Sequence, residues 1–161
     1  MNICLFTEDE INKPLDLRDE RAQHLIKILH KKEGESFSAG IINQKAGIAT
    51  ITKIESNTEY SKDGKKSFTS GKIYFTFKAQ SDGKKLYPLK MIIGFPRPIQ
   101  LKRLLRDMAS LGVQEVHLCV TDLGEKSYLK SDLANSDAGY KMLLDGTIQA
   151  ASTHVPKLFM H

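Results

Sequence analysis

The stretch Met91–Val120, MIIGFPRPIQLKRLLRDMASLGVQEVHLCV, restricts the fold of this chain more than any other part of it. Met91, Ile92 and Ile93 make a short apolar run that Gly94 closes. Pro96 and Pro98 cannot continue a strand but suit the first turn of a helix, where a missing N–H leaves nothing unpaired. Leu101, Leu104, Leu105 and Met108 follow at i, i+3, i+4 and i+7, and Leu111 extends the stripe. Lys102, Arg103, Arg106 and Asp107 fall on the opposite face. Gly112 stands where a helix ends on a left-handed residue, and Val116, Leu118 and Val120 begin a second strand. A strand–helix–strand unit of this length predicts two parallel strands joined by a right-handed crossover.

The residues before it read differently. Asn2–Phe6 predicts a short strand and Glu8–Pro14 a loop. Leu17–Lys32 predicts an amphipathic helix with Ala22, Leu25, Ile26 and Leu29 on its buried stripe. In that helix Asp19 and Glu20 lie early and His30, Lys31 and Lys32 late, which complements the helix dipole, and Gly34 ends it. Ser36–Ser56 predicts short strands broken by Gly40 and Gly47. Asn57–Gly71 is polar and carries Asp63-Gly64, so it predicts a loop with a hairpin turn. Ile73, Phe75, Phe77 and Ala79 alternate with Tyr74, Thr76, Lys78 and Gln80, the cleanest period-two pattern in the chain. Short strands with one helix predict a small β-barrel over residues 1–82, followed by an α/β region over 83–161. The boundary falls in the polar turn Ser81–Pro88.

After Val120 the polar loop Thr121–Asn135 leads to a helix that Ser136 or Asp137 is placed to cap. Its less polar face is Tyr140, Leu143, Leu144, Thr147, Ile148 and Ala151. Gly139 and Gly146 weaken it, so tertiary packing must hold it. His154–His161 predicts the start of another strand. A half-domain of so few elements leaves part of a parallel sheet bare, so more chain or a partner is expected to complete it.

The formal net charge of +5 is compatible with an anionic partner. Cys4 and Cys119 sit in separate apolar runs without metal-ligand spacing, which predicts buried, reduced thiols. No run reaches transmembrane length and the N-terminus lacks a leader pattern, so a soluble cytoplasmic protein is expected. Walker, GxSxG and GxGxxG motifs are missing from the sequence. GFPRP follows a predicted parallel strand, where open α/β sheets usually bind ligands. The basic helix face and Arg97 are the stronger lead, since Arg97, Lys102, Arg103 and Arg106 are spaced to reach a phosphate backbone; a solvated helix face is the plainer alternative. His24 is expected on the helix surface or at the core edge, and His117 on the alternate face of its strand.

Several short segments, in order, resemble one family. Arg21-Ala-Gln-His24-Leu-Ile-Lys-Ile-Leu29-His30 with Lys32-Glu-Gly34, Met108-Ala-Ser-Leu-Gly-Val113, Glu125-Lys126-Ser127 and Ile148-Gln149-Ala-Ala-Ser152-Thr-His-Val-Pro156 are similar to the motifs of RsmE-type methyltransferases. That resemblance implies a PUA-like N-terminal barrel and a knotted α/β domain of the SPOUT class. It also implies S-adenosylmethionine as cofactor, methylation of N3 of a uridine in 16S ribosomal RNA of the small subunit, and a homodimer. His30 stands where the family has arginine, Ser110 where it prefers glutamate, Lys126 in place of the loop arginine, and Ser152 in place of another arginine. The candidate RNA-binding residues are His30, Lys31, Lys32, Arg97, Lys102, Arg103, Arg106, Lys126 and Gln149. The family's Gly-Pro-Glu-Gly-Gly loop and leucine-rich knot, which bind the cofactor, do not occur before His161. The chain is therefore expected to be an incomplete SPOUT-type domain with no cofactor-binding residues of its own, no catalytic residue assigned, and no activity alone. A non-catalytic RNA-binding or ribosome-associated module, and an unrelated α/β protein that dimerises, are the competing readings.

Overall fold

The computed structural model describes residues 2–60, 67–130 and 136–161. The chain divides into two compact units. The first comprises Ile3–Ile41 and Lys45–Ser81; the second comprises Asp82–His161 with Asn2 and Ile42–Gln44.

The first unit is one curled, five-stranded half-barrel sheet. Its strands are β1 (Cys4–Phe6), β2 (Leu15–Asp16), β3 (Ser36–Ile41), β4 (Ala46–Tyr60) and β5 (Ser67–Ser81), in the order β1-β3-β4-β5-β2. β1 runs parallel to β3, and the other pairs are antiparallel. The sheet's two long strands curl at register shifts between Ala46 and Gly47 and between Ile51 and Lys53. At the second shift Ile51 lies opposite Phe75, Lys53 opposite Tyr74 and Ile54 opposite Ile73. The extra residue changes the face presented, so Ile54 rather than Lys53 packs on the core. Phe6 and Phe37 flank Phe75 there, with ring centroids 4.9 and 6.0 Å away.

Two expectations for this unit are corrected. The polar residues 57–60 and 67–71 are strand, not loop, because a β-ribbon is held by backbone pairing that does not require apolar side chains. The Asp63-Gly64 turn lies outside the described residues. The helix expected over Leu17–Lys32 is α1 (Glu20–Gln23), capped by the Asp19 side chain, running into a π-helical turn over His24–Ile28. A π turn is wider than an α turn, so the four-residue spacing from Leu25 no longer keeps Leu29 inward: Leu25 is buried and Leu29 exposed. His30 adopts a left-handed conformation (φ 51°) and the Lys31 amide bonds back to the Leu25 carbonyl, closing the helix there. His30, Lys31 and Lys32 thus follow the helix rather than forming its last turn, and Gly34 turns the chain towards β3 instead of ending the helix.

The second unit is the expected parallel arrangement. β6 (Tyr87–Gly94), β7 (Val113–Cys119) and β8 (Lys157–Met160) form a three-stranded parallel sheet in that order. α2 (Pro98–Leu111) and α3 (Ser136–Gln149) are the crossovers, and Gly112 ends α2 with φ 81°. Leu101, Leu105, Met108 and Ala109 are buried with Val116, Leu118 and Leu143. Leu104 and Leu111 were expected on that stripe but lie at its margin and are exposed, while Ala109 takes a place in it. Ser136 and Asp137 are the first two described residues of α3, and the expected cap lies at the edge of the described residues. The buried side of α3 is Gly139, Leu143, Gly146 and Thr147; Tyr140 and Ala151 are exposed. The two glycines therefore face the packing, and the Ser110 hydroxyl on α2 donates to the Gly146 carbonyl at 3.0 Å.

Candidate nucleic-acid interface

The crossover puts the loops after β6 and β7 side by side at the carboxyl edge of the sheet. The Phe95 amide donates to the Cys119 carbonyl at 3.0 Å and ties the first loop to the end of β7. Arg97 follows at the N-cap of α2 and makes no side-chain cap. The second loop folds into a 3-10 turn, Lys126–Lys130, in which the Tyr128 amide donates to the Glu125 carbonyl and the Ser127 amide to the Glu125 carboxylate. Arg97 Nε donates to the Tyr128 hydroxyl at 3.1 Å, which links the two loops.

Along α2, Lys102, Arg103 and Arg106 line a groove of about 380 Å³ with Ile99 and Gln100. Among the described residues no carboxylate lies within ion-pair distance of these three cations. Uncompensated, exposed cations on one helix face are what a polyanion requires; an i,i+4 network would have neutralised them.

The structure therefore brings Lys102, Arg103 and Arg106 together, and it places Arg97 and Lys126 on neighbouring loops. Gln149 is the last residue of α3, which descends to the amino end of β8, so it lies at the opposite end of the sheet from Arg97. His30, Lys31 and Lys32 are in the first unit, where His30 and Lys32 are exposed, Lys31 is half-buried and the Lys32 amide is held by the Glu35 carboxylate.

Sequence reasoning missed two features. Tyr128 was readable only as the next residue after Glu125-Lys126-Ser127, and nothing in the sequence pairs it with Arg97. The other is a polar chain on the sheet face away from the helices. There Lys90 pairs with Glu115 at 2.9 Å, Glu115 contacts His117, and His117 contacts His161. The His117 ring stacks on Phe159 at 4.6 Å between centroids. Lys90, then His117, hold the Glu115 carboxyl below its ordinary value. Ile92 on this face is 74% exposed, as the expectation of a bare face required. Among the described residues no group of histidine, cysteine and carboxylate side chains is placed to hold a metal ion. Cys4 is buried, which pushes its thiol up to about 12, but Cys119 is only half-buried, contrary to expectation, because it closes β7 on the uncovered side. Among the described residues no helix is long and apolar enough to cross a membrane.

Residues 83–160 match the RNA methyltransferase domain family. The chain is 39% identical over 160 residues to the ribosomal RNA small subunit methyltransferase E of Treponema pallidum, covering 97% of this chain and 55% of that protein. It is 35% identical over 158 residues to ribosomal RNA small subunit methyltransferase E 1 of Borreliella burgdorferi, covering 98% of this chain and 60% of the relative. It thus spans little more than half the length of these relatives. Among solved structures, a probable rRNA-methyltransferase from Porphyromonas gingivalis superposes with a TM-score of 0.68 at 16% identity, over 98% of this chain and 60% of that one. The Neisseria gonorrhoeae ribosomal RNA small subunit methyltransferase E, bound to S-adenosyl methionine, gives 0.64 at 15% identity, over all of this chain and 62% of that one. The fold is shared with these proteins, and the sequence similarity to the Treponema pallidum and Borreliella burgdorferi methyltransferases runs over nearly the whole of this chain, with residues 83–160 matching the RNA methyltransferase domain family.

Proposed function

We propose that this chain carries the RNA-holding part of a cytoplasmic, S-adenosylmethionine-dependent enzyme that methylates N3 of a uridine in 16S ribosomal RNA. In this reading residues 1–82 are a PUA-like RNA-binding domain. Residues 83–161 are the first part of a SPOUT-type catalytic domain that works as a homodimer. The observation that carries it is the 39% identity over 160 residues to a small-subunit rRNA methyltransferase. The uncompensated groove of Lys102, Arg103 and Arg106 supplies the physical means of holding the RNA.

S-adenosylmethionine is the family's cofactor. At the carboxyl edge of β6–β8, Val120 and Leu123 lie on open surface. Side chains so exposed do not enclose an adenosine, so the residues present do not by themselves fit the cofactor, and no chemical step is assigned to them. The relatives' further length is the proposed source of that pocket.

Replacing Lys102, Arg103 and Arg106 together by alanine is expected to lower affinity for single-stranded 16S rRNA segments on the order of 100-fold near physiological salt. It should also reduce the slope of log affinity against log salt by about 2, since each lost phosphate contact removes about 0.7. Fluorescence anisotropy over a salt series checks both. Unchanged affinity and slope would leave the groove a solvated helix face.

A further inference from the structure

We propose that Arg97 and Tyr128 act as one anion cradle for a backbone phosphate of single-stranded RNA, with Tyr128 as the positioning residue for the guanidinium. The inference rests on the RNA-binding reading above and deepens it by naming how one phosphate is held.

Arginine has five N–H donors and no acceptor. The bond from Nε to the Tyr128 hydroxyl uses one of them and leaves both terminal amino groups free to form a fork, the geometry that suits two phosphate oxygens. The tyrosine oxygen accepts that bond and so orients the guanidinium. Neither loop end is slack. Phe95 is tied to Cys119, and Tyr128 is held by its bond to Glu125. The neighbouring carboxylate of Glu125 is turned onto the Ser127 amide within its own turn. Among the described residues Arg97 has no carboxylate partner. It also sits at the N-terminus of a 14-residue helix, where the backbone adds positive potential. Lys126 is exposed beside Tyr128.

A free phosphate would satisfy the same donors. The polymer is favoured because the same helix continues into the groove of Lys102, Arg103 and Arg106. From Arg97 to Arg106 the helix rises ~13 Å, further than one phosphate reaches but within the span of a short strand.

The test is a double-mutant cycle on the whole chain, read by anisotropy with a short fluorescein-labelled single-stranded RNA over a salt series, with circular dichroism to confirm folding. Arg97→Gln should weaken binding about tenfold and lower the salt slope by about 0.7, the share of one phosphate. Tyr128→Phe should weaken it about threefold with the slope retained, since the charge stays. The double variant should bind no worse than Arg97→Gln alone, because Tyr128 acts only through the guanidinium. If Tyr128→Phe is neutral, or its effect multiplies with that of Arg97→Gln, the cradle is overturned while salt-dependent RNA binding stands. If wild-type chain binds no RNA, the broader reading falls and the cradle with it. Displacement of the RNA by inorganic phosphate at concentrations near the RNA dissociation constant would assign the donors to a free anion and overturn the polymer.

Discussion

Replacing Arg21 by alanine is expected to destabilise the first unit by about 3 kcal/mol, a large share of what a small domain has. Its guanidinium donates to both oxygens of Glu10, to both oxygens of Asp19 and to the Leu5 carbonyl, all at 2.8–3.0 Å. It also lies over the Phe6 ring, 4.9 Å from the centroid. Only 22% of the side chain is exposed. Removing it leaves two carboxylates facing each other with no cation between them, and it uncovers one side of a core phenylalanine. A fully buried partner lost from such a cluster costs about 3–5 kcal/mol; partial exposure puts this one at the lower end. Arg21→Lys should recover only a minor part, since an ammonium cannot fork to two carboxylates at once. Urea unfolding followed by circular dichroism measures both. A loss below about 1 kcal/mol for the alanine variant would mean the cluster acts as an ordinary surface salt bridge.

The same cluster fixes the direction of an acid dependence. Hydrogen bonding from Arg21 holds the Glu10 carboxyl down to about 2 from 4.5 and lowers Asp19 as well. Carboxyls depressed in the folded state contribute stability that is complete above their unfolded values. That stability is lost as pH falls from about 4.5 towards 2, because the unfolded chain then binds protons the folded one resists. Glu10 is partly exposed, so solvent weakens the coupling and the limb is shallow. In the Arg21→Ala variant it should nearly vanish.

The parts of the fold that were legible in the sequence are those whose signal is local and repeated. The strand–helix–strand of the second unit followed from two prolines, an i, i+3, i+4, i+7 stripe and Gly112, and β8 from an apolar end. What failed depended on geometry that has no period. The π turn at His24–Ile28 shifts one residue out of phase, and no residue type announces it; it moved Leu29 outward and His30–Lys32 beyond the helix. The bulge near Thr52 moved Ile54 inward in the same hidden way. Residues 57–60 and 67–71 are polar and so read as loop, yet backbone pairing alone makes them strand. Along the basic groove, three cations on one helix face are legible from spacing alone. The bond from Arg97 to Tyr128 is not, since it joins loops 31 residues apart that only parallel pairing brings together. Ser110 appeared as a departure from a family pattern, yet its hydroxyl has a defined acceptor on α3.

That acceptor is Gly146, and Gly146→Val is expected to cost the second unit about 3 kcal/mol. A β-carbon at this position would lie 2.2 Å from the Arg106 carbonyl oxygen and 2.9 Å from the Ala109 β-carbon. The first of these is backbone, so no rotamer change relieves it; the helices must part or α3 must slide. Helix propensity runs the other way, since a β-carbon in a helix interior is favoured over glycine by about 1 kcal/mol. Overpacking a fitted contact costs about 1–3 kcal/mol even where side chains can yield, so the clash wins. Gly146→Ala should therefore destabilise too, by about 1–2 kcal/mol, although an exposed glycine replaced in the same way would stabilise. Ser110→Ala removes about 1 kcal/mol with its bond in wild type but almost nothing in the Gly146→Val background, where the helices have already separated. Thermal unfolding of the wild type and the four variants tests this, and a stabilised Gly146→Ala variant would refute the close crossing. Because the carbonyl that clashes belongs to Arg106, the same substitution also displaces the backbone beneath the basic groove. RNA affinity should then fall while the salt slope stays near its wild-type value, since no cation has been removed, only moved.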